Sequence, residues 1–332
     1  MAYFFSFIIP VYNRPEEVRE LLSSFEGQDF KGDYEIIIVE DGSSLTAEKV
    51  VESFKNLPIR YFFKTNSGPG PSRNYGMKRA KGDYFIILDS DCILPSTYLN
   101  TVHCELEKET VDFFGGPDAA HQDFTSLQKA INYSMTSLLT TGGIRGRKKT
   151  AGKFQPRSFN MGISKEAFVA SGGFGKIHPG EDPDLTLRLW KLGFNSRFIA
   201  DAYVYHKRRI SWGSFYRQVR KFGLVRPILN VWHPDSARLT YWFPTIFTFG
   251  AAMSILLLLF GILPPFLLLM VYLLILLLDA SVKNKSILIG FMAVFATLVQ
   301  FVGYGLGFAE STLAVSWLKK LPQERFPHLF FN

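Results

Sequence analysis

Tyr34-Glu35-Ile36-Ile37-Ile38-Val39-Glu40-Asp41-Gly42-Ser43 runs from an apolar block straight into two acids and a glycine turn. A continuous apolar run, rather than an alternating one, predicts a strand covered on both faces, as in parallel sheets. Three more such runs flank it: Phe4–Val11, Ile59–Phe63 and Tyr84–Leu88. Helical spacing lies between them, in Glu16–Phe25 (Val18, Leu21, Leu22, Phe25), Ala47–Phe54 and Ser72–Arg79. This alternation predicts an α/β fold with a mixed, mainly parallel sheet and helices on both faces. Ligands of such sheets bind beyond the strand carboxyl ends. Those ends carry Tyr12-Asn13-Arg14, Glu40-Asp41-Gly42-Ser43 and Asp89-Ser90-Asp91. Three polar clusters at equivalent ends point to one site.

Asp89 and Asp91 stand two residues apart, a spacing at which two carboxylates can share a hard divalent cation. Such a cation bridges a diphosphate and stabilises a leaving group; Asp-Ser-Asp is also ordinary turn chemistry. Asn66-Ser67-Gly68-Pro69-Gly70-Pro71-Ser72-Arg73-Asn74 is a Gly/Pro loop opening a helix. It lets backbone approach a ligand, and Arg73 can meet phosphate. Gly180-Glu181-Asp182-Pro183-Asp184 precedes a helical pattern through Trp190. Acids there are normal helix caps, but one beside the flexible-looking Ser171-Gly172-Gly173-Phe174-Gly175 could serve as general base for a hydroxyl. His206 closes the strand-like Ser196–Tyr205 run, while His121 and His178 have no partner that the sequence names.

In order, these pieces resemble the family 2 glycosyltransferases with the GT-A (Rossmann-like) fold. The match rests on Phe7-Ile8-Ile9-Pro10-Val11-Tyr12-Asn13, Ile37-Ile38-Val39-Glu40-Asp41-Gly42-Ser43, Ser72-Arg73-Asn74-Tyr75-Gly76, Leu88-Asp89-Ser90-Asp91 and Gly180-Glu181-Asp182. It covers about Phe5 to Phe222. The resemblance implies that Pro10, Tyr12, Asn13, Glu40, Asp41, Arg73 and Asp89 bind the nucleotide sugar. It implies a divalent metal (Mg2+ or Mn2+) on Asp91, Asp89 and His206, with Asp182 as catalytic base and Glu181 orienting the acceptor. It also implies single-displacement, inverting chemistry and a nucleotide-diphosphate sugar, UDP-linked by preference. Two departures stand out. The usual Asp pair after the second strand is Glu40-Asp41, and Gln218-Val219-Arg220-Lys221-Phe222 only echoes the Gln-x-x-Arg-Trp motif of processive synthases.

The chain has 332 residues, 47% hydrophobic and 20% charged, with net charge +8. Disorder is excluded by the apolar content, and a disulfide scaffold by a cysteine count of 2, Cys92 and Cys104. The apolar residues are unevenly spread. Leu239 to Leu278 has no Asp, Glu, Lys or Arg, and neither has Ser286 to Ala309. The first stretch is roughly 60 Å long as helix, against a bilayer core of about 30 Å. It fits two membrane helices broken at Pro264-Pro265, and the second stretch fits one more. The expected organisation is a catalytic domain over 1–210, a basic amphipathic interfacial segment over 211–238, a transmembrane region over 239–310 (helices 241–261, 263–279 and 286–308), and a tail over 311–332.

Ala202 to Pro234 holds Lys207, Arg208, Arg209, Arg217, Arg220, Lys221 and Arg226 with aromatic residues between them and no acid. That composition suits a helix on an anionic cytoplasmic leaflet, making membrane lipids the partner rather than nucleic acid. Phe4–Val11 lacks the basic lead of a signal peptide, so the catalytic part is expected on the cytoplasmic side of the inner membrane. The basic run Arg145, Arg147, Lys148, Lys149, Lys153 and Arg157 is expected to face a phosphate or acidic glycan acceptor, or to be a solvated loop. The leading functional expectation is a membrane-anchored glycosyltransferase of polysaccharide or cell-envelope biosynthesis, acting on a lipid-linked or glycan acceptor. A polyprenyl-phosphate acceptor, or a non-catalytic nucleotide-sugar-binding protein of an export system, are the alternatives.

Overall fold

In the computed structural model, residues 3–119, 124–141, 154–206 and 211–331 are described. β1 (Phe5–Val11), α1 (Pro15–Glu26), β2 (Tyr34–Asp41), α2 (Glu48–Ser53), β3 (Ile59–Lys64), α3 (Pro69–Met77) and β4 (Tyr84–Leu88) follow in the expected alternation. Then come β5 (Cys92–Ile93), α4 (Tyr98–Lys108), β6 (Phe113–Gly115), β7 (Asp118–Ala119), α5 (Ser126–Thr136), α6 (Leu138–Thr141), β8 (Asn160–Ser164), α7 (Lys165–Ser171), α8 (Glu181–Lys191), β9 (Ser196–Phe198) and β10 (Val204–His206). The C-terminal part is helical: α9 (Trp212–Trp232), α10 (Phe243–Leu259), α11 (Pro264–Asn284), α12 (Ile287–Ser311) and α13 (Pro322–Arg325). The chain divides into two compact units. One holds β1–β10 with α1–α4, α7, α8 and the tail residues Phe330 and Phe331; the other holds α5, α6 and α9–α13. Beside the linear boundaries expected from the sequence, this division groups α5 and α6 with the C-terminal helices, and Phe330 and Phe331 with the first unit.

The first unit is built on a seven-stranded sheet of order β3-β2-β1-β4-β8-β6-β9. β3, β2, β1 and β4 are parallel, with Ile8 opposite both Ile37 and Ile87. β8 runs antiparallel between β4 and β6. Both faces are covered, which explains the unbroken apolar runs. Ile36 and Ile38 pack with Leu21, Leu22 and Phe25 of α1. Ile37 and Val39 pack on the other face with Met77 of α3 and with Leu185 and Leu189 of α8. Pro15 opens α1, where its fixed φ costs nothing. A second sheet has the order β5-β10-β7. The Ser196–Tyr205 run is therefore two strands in different sheets, since the chain leaves β9 and turns at Ala202 before β10.

In the helical unit, three segments are long and apolar enough to cross a membrane: Leu239–Leu259, Pro264–Asn284 and Ile287–Trp317. The last two outrun the charge-free stretches. Asp279 and Lys283 thus lie within α11 and Glu310 within α12, where charge-free spans were expected. Both acids are paired. Asp279 accepts from Tyr133 Oη at 2.6 Å and Lys283 Nζ at 2.8 Å. Glu310 meets Arg220 at 2.7 Å and Arg325 at 3.0 Å. α9 forms where the basic aromatic helix was expected, yet its Phe215, Val219, Leu224 and Ile228 are buried within this unit. Small residues let it approach α12 closely: a Cβ on Gly223 would stand 2.2 Å from the Tyr304 carbonyl, and one on Gly307 2.5 Å from that of Arg220.

Candidate active site

The loops after β1 and β2 are stitched together by Asn13, which adopts a φ of 54°. Its backbone N–H donates to Ser43 Oγ at 2.8 Å, and its carboxamide oxygen accepts from the Ser44 and Leu45 N–H groups, both at 2.9 Å. Glu40 is fully buried. It accepts from the Ser43 hydroxyl, the Ala47 N–H at 2.9 Å and Tyr61 Oη at 3.1 Å. Burial first, and then the Glu40 carboxylate, push the Tyr61 phenol up. Asp41 holds the Gly/Pro loop. Its two oxygens accept from the Ser67 and Gly68 N–H groups, both at 2.9 Å, and it pairs with Lys64. Among these residues Tyr12 is left about half exposed, at 53%, and Pro10 is partly exposed.

α3 then delivers Arg73 into the interior. One η-nitrogen donates to Glu181 Oε1 at 2.9 Å and the other to Asp89 Oδ1 at 2.8 Å. Its guanidinium lies 5.3 Å from the Phe174 ring centroid. Asn74 clamps Phe174 by accepting from its N–H and donating to its carbonyl, each at 2.8 Å. Arg188 donates to the carbonyls of Ser171 and Gly173, both at 2.6 Å. The Ser171–Gly175 stretch, read from its glycines as flexible, is therefore tied down from two helices. Burial alone would lower the Arg73 pKa, but the carboxylates of Asp89 and Glu181 outweigh it and raise it.

Glu181 opens α8 and is buried, which by itself disfavours its charge. The His178 imidazole, 3.1 Å from its carboxylate, and the Arg73 guanidinium reverse that and hold its pKa at about 2. Asp182, the next residue, is more open and lies 3.6 Å from Arg157. Asp184 is not at the site; it pairs with Arg188 at 2.9 Å. Asp91 accepts from Arg14 at 2.9 Å. His206 stands in register opposite Cys92, one residue beyond Asp91; its side chain, like His121 and the basic run from Arg145 to Lys153, lies outside the described residues. Among the described residues no three His, Cys, Asp or Glu side chains form a metal cluster. Asp89 and Asp91 still offer the hard oxygen donors that Mg2+ or Mn2+ takes.

The structure thus gathers Asp41, Arg73, Asp89, Asp91, Glu181 and Asp182 around the strand ends. Arg14, from the polar cluster after the first strand, and Arg157, from the basic run, join them. Lys64 and His178 are the residues that no motif assigned a role. His178 stood two residues before Gly180, so proximity was its signal, and Lys64 gave none beyond its charge.

A mainly parallel sheet with helices on both faces, and acids with a buried arginine at its strand ends, defines a GT-A-type α/β domain. A mannosyltransferase from Pyrobaculum calidifontis, solved with GDP-Man and Mn2+, shares this fold with a TM-score of 0.61 at 17% identity, over 90% of this chain and 88% of that one. Residues 6–170 match the family model for glycosyl transferase family 2, so the chain carries a domain of that family. It is 36% identical over 133 residues to the poly(ribitol-phosphate) beta-N-acetylglucosaminyltransferase TarS of Staphylococcus aureus, covering 39% of this chain and 21% of TarS. It is 33% identical over 190 residues to the GalNAc(5)-diNAcBac-PP-undecaprenol beta-1,3-glucosyltransferase of Campylobacter jejuni, covering 56% of this chain and 59% of that enzyme. The chain therefore spans a fifth to three-fifths of the length of these relatives.

Proposed function

We propose that the protein is an inverting glycosyltransferase that moves a sugar from a nucleotide-diphosphate donor, UDP-linked by preference, to a hydroxyl of a lipid-linked or envelope-glycan acceptor at the cytoplasmic face of the inner membrane. The observation that carries this reading is the buried Arg73 fork, which ties Asp89 at the end of β4 to Glu181 at the start of α8. Asp182 follows Glu181 in the chain, and this supports reading it as the base beside a diphosphate held at the strand ends. Asp182 accepts the acceptor's hydroxyl proton as the new glycosidic bond forms and the nucleoside diphosphate leaves. Glu181, locked between Arg73 and His178, orients the acceptor rather than taking the proton itself. Tyr12 offers an exposed ring to the base, while Asn13, Glu40 and Asp41 hold the loops that frame it. Asp89 and Asp91, with His206, would hold the divalent cation, which when bound neutralises charge on the leaving diphosphate. The relatives acting on a ribitol-phosphate polymer and on an undecaprenol-linked glycan favour a lipid-linked or envelope acceptor.

The test is Asp182→Asn in the full chain. Transfer should fall by about 10²- to 10⁴-fold, with nucleotide-sugar affinity retained. Undiminished turnover removes Asp182 from the base role and points to a phosphate acceptor, which needs no base.

A further inference from the structure

Phe330 and Phe331 return to the first unit and dock beside the candidate site. Phe330 forms an antiparallel bridge with Ile177, and the Phe331 N–H donates to the Lys176 carbonyl at 3.0 Å. The Phe331 ring packs against Gly68: a Cβ there would stand 2.3 Å from two of its ring carbons. Its centroid is 6.1 Å from that of His178. The tail thus touches two loops at once. One contains Gly68, whose N–H is held by Asp41 and which caps the helix bearing Arg73. The other contains Lys176, Ile177 and His178, and His178 bonds Glu181. These loops lead into the two helices that meet at the Arg73–Glu181 pair.

From this we infer that Phe331 is a positioning residue of the donor site: the docked tail clasps the 66–70 loop to the 176–178 loop and so holds Arg73 and Glu181 in their paired geometry. Ring packing supplies the lateral contact, and the backbone bond to Lys176 sets its register. Loss of the Phe331–His178 ring contact alone is expected to change donor binding about two- to tenfold. The inference rests on the reading of this site as a nucleotide-sugar site, so its test carries a readout that does not need turnover.

Full-length protein in lipid nanodiscs is compared as wild type, Phe331→Ala, Phe331→Pro and Phe331→Tyr. Hydrogen exchange is followed in peptides covering 65–78 and 174–185, alongside KM and kcat for the donor. Both peptides should exchange several-fold faster in Phe331→Ala and Phe331→Pro, the latter having lost the N–H donor. Donor KM should rise about two- to tenfold with kcat within twofold, the melting temperature should hold, and Phe331→Tyr should restore both readouts. Unchanged exchange in these peptides overturns the clasp. So does a fall in donor KM, which would make Phe331 a plug in the ligand's place. If the wild type binds no nucleotide sugar while exchange still responds to Phe331→Ala, the clasp stands and the donor reading fails.

Discussion

Arg73 shows how one side chain can join two distant stretches of sequence. Its guanidinium is buried, so its charge is stable there only because two carboxylates face it. Arg73→Met should therefore destabilise the protein by about 3 kcal/mol, read as a lowered denaturant midpoint, because Glu181 would be left buried beside one partner fewer. The same pair predicts a pH effect. The Glu181 carboxyl is held near 2, well below its ordinary value of 4.5. The unfolded chain thus takes up this proton at higher pH than the folded one, and stability should fall as pH drops from about 4.5 toward 2. Glu181→Gln should flatten that limb of the stability curve; an unaltered acid limb would show that other carboxylates carry it. At this scale the motifs located the right residues but could not tell ligand contacts from loop bonds. Asn13 and Glu40 spend their polar atoms on backbone and side-chain partners, a fact that depends on a φ of 54° and on the Ser43 turn rather than on residue type.

Among the elements, α3 is fitted to the sheet through a glycine. A Cβ on Gly76 would stand 2.8 Å from Ile8 Cγ2 and 3.2 Å from Val39 Cγ2. Gly76→Ala gains helix propensity, but the overpacking should win and cost about 1–3 kcal/mol. A measured midpoint equal to or above that of the wild type would mean α3 can shift without loss. Strands β1 to β4 were legible because each carries three to five consecutive apolar residues with a turn signal close behind. β5, β6 and β7 are two or three residues long, too short for any period to register. β8 reads Asn160-Met161-Gly162-Ile163-Ser164, which looks like loop, yet Asn160 is fully buried and bonded to Tyr98 Oη at 2.7 Å. α5 carries a capping box, Thr125 with Gln128, and its helical spacing is ordinary. No local pattern says that Ile131 and Met135 are to be buried with Phe215 and Val219 of α9.

For the molecule as a whole, the two cysteines provide a built-in topology probe. Cys104 is exposed on α4, whereas Cys92 is buried, and burial pushes its thiol well up. A membrane-impermeant maleimide applied to intact cells should leave the chain unlabelled, and permeabilisation should then add a single label at Cys104. Labelling before permeabilisation would place α4 outside. The division into two units also sets an order of synthesis. α5 is made about 140 residues before Asp279 and about 175 before the C-terminal end of α12, with which its unit is completed. At 5–20 residues per second it spends roughly ten to thirty seconds with Ile131, Tyr133 and Met135 uncovered. During that interval β8, β9 and β10 are made and can close both sheets. One short amphipathic helix of the nascent chain is thus open to aggregation or proteolysis for that interval, and slower synthesis of α11 and α12 lengthens it.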